Sequence, residues 1–198
     1  MKKKTFTLFL ALALVFAGII GGTLAWLTDT TDAVVNTFTD SDIDITLTET
    51  GAVNNHNSYK MVPGYTISKD PKVTVEAGSE KCYLFVKLEK SANFDNFLTY
   101  EIADGWTALT DVNNDSIADD GVYYRIVETT GMGTAYSVLK NDQVTVKGTV
   151  TKEMMSGLTT DTYPTLKVTA YASQFNKNAT ETFTVNEAWT NVSSNSGN

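Results

Sequence analysis

The chain has 198 residues, and its 23 acidic side chains outnumber 15 lysines and arginines for a formal net charge of −8. That balance excludes nucleic acid as a partner, because a phosphate backbone needs a basic patch. One cysteine, Cys82, excludes an intrachain disulfide, and one histidine, His56, excludes a helix-borne HExxH zinc site.

The N-terminus carries Lys2, Lys3 and Lys4, then an apolar run from Phe6 to Ile20, then Gly21-Gly22-Thr23-Leu24-Ala25. A basic start, a short apolar stretch and small residues before a cut describe a secretory signal over 1–25, cleaved between Ala25 and Trp26. The apolar run falls short of the roughly 20 residues that span a bilayer. The expected product is secreted, resides in the extracellular matrix or at the cell surface, and has no membrane contact after cleavage. Its stability in an oxidising exterior then rests on packing.

Residues 26–40 are rich in Thr, Asp and Val and hold neither Gly nor Pro, which predicts an extended segment too polar to form a core strand alone. A single domain is expected over 41–192. Ile43, Ile45 and Leu47 alternate with polar residues and predict a strand with one wet face. Residues 51–58 read as a loop holding a solvated His56. Pro63-Gly64 sets a turn. Strands are predicted from Lys72 to Glu76 and from Lys81 to Lys90. In the second, Cys82 and Leu84 face one side while Tyr83 and Phe85 face the other, so the strand is either central or covered by a loop. Cys82 is expected in the sheet interior.

Asn93 to Leu98 predicts a short turn, and Gly121 opens a strand through Val127. Gln143 to Val150 reads as extended. Thr151 is a plausible N-cap for one helical turn to Met155. Leu166, Val168, Ala170 and Ala172 form the inward row of another strand, and Asn186 to Trp189 predicts a last helical turn. The tail, 193–198, is Ser/Asn/Gly and expected to be flexible. Short strands with turn signals every 8–15 residues or so predict an all-β antiparallel sandwich with one or two short helices, preceded by the signal helix.

One stretch carries candidate ligands. In DVNNDSIADD, Asp111, Asn113, Asp115 and Asp119 occupy alternate positions as in calcium loops that present oxygens at about 1, 3, 5 and 9. Ser116 stands where such loops have Gly, and Val122 stands where they need a bidentate Glu. The competing reading is a solvated hairpin loop between Leu109 and Val122, with no cofactor.

The GGTLAW junction, VVNTFTDSDIDITLTE, MVPGYTISKDPKVTV, CYLFVKLE and TLKVTAYASQF together resemble the TasA/camelysin family. Its members pair a GGT-x-A junction with a following aromatic residue, here Trp26. Tyr65 stands where the family turn has Asp, and Asp40 to Asp42 replace a Gly-containing turn. The resemblance implies a jelly-roll-like sandwich and a biofilm matrix fibre subunit without enzymatic activity. It implies as partners a SipW-type signal peptidase, further copies of the chain, and a minor anchoring or assembly protein. Camelysins have also been labelled metalloproteases, and this sequence offers no ligand set for that activity.

The expectation is donor-strand exchange: cleavage frees Trp26 to Phe38, with Trp26, Val34, Val35 and Phe38 as self-assembly anchors, to complete the open sheet edge of a neighbour. The alternative is a secreted monomeric module that binds a surface or matrix polymer.

Overall fold

β-Branched and aromatic residues in short runs, punctuated by Gly and Pro, favour extended chain over helix. A computed structural model describes residues 42–110 and 121–194, which belong to the unit Asp40–Asn198. Among them the strands are β1 (Ile45–Thr48), β2 (Thr66–Ser68), β3 (Lys72–Val75), β4 (Cys82–Lys90), β5 (Leu98–Thr99), β6 (Thr107–Ala108), β7 (Val122–Val127), β8 (Ala135–Ser137), β9 (Gln143–Val146) and β10 (Leu166–Gln174). The α-helices are α1 (Phe94–Phe97), α2 (Lys152–Ser156) and α3 (Val185–Ser194).

The strands form antiparallel sheets in the orders β1-β3-β8, β10-β4-β7-β6 and β2-β9-β5. The fold is all-β and sandwich-like, as expected from the sequence. β4 is its centre. Cys82, Leu84, Val86 and Leu88 join Val73, Val75, Val144 and Val146 from the other two sheets in one apolar core. Tyr83 and Phe85 point the opposite way, into a second cluster with Val122, Ala188 and Trp189. The expected central strand is therefore observed, and a helix covers its outer face. Phe85 lies 5.3 Å from the Trp189 ring, and the Tyr83 hydroxyl donates to the Phe183 carbonyl, 100 residues downstream.

Several local expectations are met in detail. Tyr65 N–H donates to Val62 C=O across Pro63-Gly64, with Gly64 at φ +77°. Thr151 caps α2 by accepting from Met154 N–H. The loop around His56 is tighter than its composition suggests. Val53 and His56 exchange both backbone hydrogen bonds, with Asn54 and Asn55 at positive φ between them. Asn tolerates that conformation better than most side chains.

Other expectations are corrected. Leu47 is 40% exposed, because β1 is a short edge strand whose far end is left uncovered. The segment expected to be extended to Val150 leaves the ladder at Val146 and turns, with Val150 N–H donating to Lys147 C=O. The last helical turn is a ten-residue helix. It takes in Ser193 and Ser194, expected in the tail, and both hydroxyls donate back to the Thr190 carbonyl. Serine can thus support a helix end as well as fray it.

Candidate functional site

The ladder parity decides which backbone groups face outward. Ser91 N–H donates to Thr165 C=O, and Phe175 N–H donates to Lys81 C=O. In an antiparallel pair, residues that exchange bonds alternate with residues that do not. Residues 165, 167, 169, 171, 173 and 175 therefore face β4, while Leu166, Val168, Ala170 and Ala172 turn their peptide groups away. Among the described residues β10 has one ladder neighbour, β4, along all nine residues. It is the longest edge strand among them. β1 lies beside it without a ladder between them. By the same parity Ile45 and Leu47 turn their peptide groups away from β3, since Glu76 N–H donates to Asp44 C=O.

The chain enters this domain at a clasp. Glu76 N–H reaches the Asp44 carbonyl, Glu80 N–H reaches the Asp42 carbonyl, and Asp44 N–H donates to Ser79 Oγ. These bonds hold Asp42 and Asp44 against the β3–β4 turn.

A polar cluster holds the long β1–β2 connection. Lys69 Nζ lies 2.9 Å from Glu49 Oε2, with both side chains mostly buried. Tyr59 Oη donates to Glu49 Oε1, and Asn57 donates to the same oxygen. Burial raises the Glu49 carboxyl, but the hydrogen bonds from Tyr59, Lys69 and Asn57 outweigh it and hold the group below its ordinary value. Burial, and after it the hydrogen bond to Glu49, pushes the Tyr59 phenol up. Further along the same connection, Tyr65 is 68% and Val62 48% exposed.

A third arrangement surrounds Arg125. Its β4 partner is Leu84, which places the arginine on the inner face of the sheet. The guanidinium carbon lies 3.8 Å from the Tyr136 ring centre and 5.3 Å from that of Trp106. Both rings are anchored: Trp106 Nε1–H donates to the Ser137 carbonyl and Tyr136 Oη to the Gly131 carbonyl. Arg125 Nε is buried without a partner. Burial pulls the guanidinium below its ordinary value, leaving it fully charged at neutral pH.

The sequence-predicted residues are placed as follows. Ala25, Trp26, Val34, Val35 and Phe38 lie outside the described residues, and so do Asp111, Asn113, Asp115 and Asp119. The flanks of the acidic loop are described. Leu109 N–H donates to Val122 C=O, so β6 and β7 approach as a hairpin on either side of it. His56 is exposed, with Nδ1 2.8 Å from the Asn54 carbonyl oxygen. Among the described residues no group of three or more His, Cys, Asp or Glu could hold a metal ion. Sequence reasoning missed the Arg125 arrangement, although Tyr123, Arg125 and Val127 share the inward row of β7. It also missed the Thr184-x-x-Glu187 signature that opens α3.

No protein-family model, no curated protein and no solved structure matches the chain.

Proposed function

We propose that this chain is a secreted structural protein, a biofilm matrix fibre subunit that assembles after its leader is removed between Ala25 and Trp26. The segment 26–40 adds as a strand to another copy, with Trp26, Val34, Val35 and Phe38 seated against its apolar surface. The observation that carries this reading is the outer edge of β10, where Leu166, Val168, Ala170 and Ala172 turn their peptide groups away from β4. A strand rises about 3.3 Å per residue, so the nine residues of β10 run roughly 30 Å, with β1 beside them but no ladder on that edge among the described residues. Pairing through backbone groups asks little of the arm's side chains beyond a few apolar anchors. Head-to-tail addition is heterologous and propagates instead of closing.

Electron microscopy of the cleaved protein, with and without residues 26–39, tests the proposal. Fibres are expected from the first and folded monomers from the second. Fibres from the truncated form would remove the arm from the mechanism. A second reading, a monomeric polymer-binding module, is favoured by the exposure of Tyr65 and Val62. It predicts a monomer at every concentration and saturable binding that a Tyr65→Ala substitution weakens.

A further inference from the structure

We propose that Arg125, flanked by Tyr136 and Trp106, is a carboxylate-binding site. Arg125 is the only arginine in the chain. Among the described residues eight lysines lie within ion-pair distance of a carboxylate. Among the described residues Arg125 has no such partner, although the chain is acidic overall.

The two rings attract the cation through its face. They do nothing for its in-plane N–H groups, which are the groups that bind a carboxylate edge-on. Nε is sealed without a partner, so part of the hydration shell is already gone, and a carboxylate would engage the outer Nη edge of the fork. An arginine in that state loses less on binding an anion than one free in water, and its anchored rings hold the fork in place. The neighbouring backbone is glycine. At Gly105, φ is +87° and a Cβ would stand 3.0 Å from Nη2, so the guanidinium packs against the Gly105 backbone and a side chain there would crowd it.

The chemistry favours a carboxylate over a phosphate. A planar, singly charged group matches a fork whose face is stacked on Tyr136, and a dianion is repelled more strongly by a chain of formal charge −8. The carboxylate has two sources: an acidic sugar of a surface polymer, or an Asp or Glu of a second copy. The site stands whether or not the chain forms fibres.

The sole arginine gives one Nε–H cross-peak in a ¹⁵N-labelled sample, so the test needs no assignment of that signal. The labelled full chain is titrated at low ionic strength with sodium glucuronate, with inorganic phosphate as the comparison, and is separately diluted with no ligand added. A saturable shift with glucuronate in about the millimolar range, reversed by salt, supports the sugar-acid source. A shift that depends on protein concentration alone supports the second copy. Arg125→Lys keeps the charge but loses the fork, so the response of the Trp106 indole N–H should weaken roughly tenfold. No movement of the Nε–H signal up to about 100 mM glucuronate and across the dilution series would reduce Arg125 to an internal brace. An unchanged indole response in Arg125→Lys, or a stronger response to phosphate, would overturn the assignment. Should Arg125→Lys fail to fold, the wild-type titration alone decides.

Discussion

Gly121 has no room for a side chain. Its φ is +83°, and a Cβ would stand 2.3 Å from the Leu88 carbonyl oxygen in the neighbouring strand. That oxygen is backbone in the central strand and cannot swing away. Gly64 shares the left-handed conformation at φ +77°, with open space around it. Gly64→Ala should therefore cost about 1 kcal/mol of conformational strain, and Gly121→Ala about 3 kcal/mol or more, because strain and collision combine. Urea unfolding of both variants measures the difference. Equal losses would show that β7 can shift to make space.

Cys82 is fully buried, and burial pushes its thiol from an ordinary 9.0 up to about 11. The folded state therefore holds its proton more tightly than the unfolded state. This contribution to stability is complete below pH 9.0 and is lost as pH rises toward about 11. The native thiol should resist alkylation at pH 8 and react at the rate of chain opening. Fast, stoichiometric labelling without unfolding would contradict its burial. Its place was legible because Cys82 alternates with Leu84, Val86 and Leu88. The stacking of Arg125 between Trp106 and Tyr136 was not, since the two rings approach it from distant segments and carry no local signal.

α3 shows how a polar stretch becomes a structural element. Thr184 and Glu187 cap its start reciprocally: Glu187 N–H donates to Thr184 Oγ1, and Thr184 N–H donates to Glu187 Oε2. Such a box satisfies two helix donors that would otherwise lack partners. The ion pair with Lys177 and the bonds from Thr184 hold the Glu187 carboxyl down to about 2. A depressed carboxyl stabilises the fold above its ordinary 4.5, and that gain disappears as pH falls from 4.5 toward about 2. Thr184→Ala should cost about 1 kcal/mol. On acid titration, the near-ultraviolet signal of Trp189 should change in the same window and be altered in this variant. An unshifted titration would mean that packing, and not the cap, holds the helix. The turn at Pro63-Gly64 and the cap at Thr151 were legible because their signals sit within four residues. α3 was read as a single turn because Ser and Asn dominate its second half, and its apolar partners, Tyr83 and Phe85, lie far away in the chain.

The sandwich-like arrangement followed from short alternating strands, with β4 legible as their centre because it carries apolar residues on both faces. The pairing order β10-β4-β7-β6 was not legible, because the register of a strand with a partner some 80 residues distant leaves no trace in local composition. That pairing separates folding from association along β10. Val168 turns its N–H outward, whereas Thr169 exchanges bonds with Lys87 of β4. Val168→Pro should leave a folded domain with its edge blocked, because proline is tolerated where no ladder donor is lost. Thr169→Pro should destabilise the fold by roughly 3 kcal/mol, through a lost bond and a clash. Thermal melts and electron microscopy of the two variants form the test. Fibres from a folded Val168→Pro protein would move the contact to another edge.

The coverage of Tyr83 and Phe85 by a helix so far downstream has a consequence for biosynthesis. A ribosome delivers the β4 aromatics long before Trp189 exists, so the growing polypeptide carries a wet, sticky flank until Thr184 and the turns behind it emerge. A product truncated ahead of that point keeps the three sheets around its interior yet displays a greasy outer wall, which makes it a natural target for chaperones and proteases.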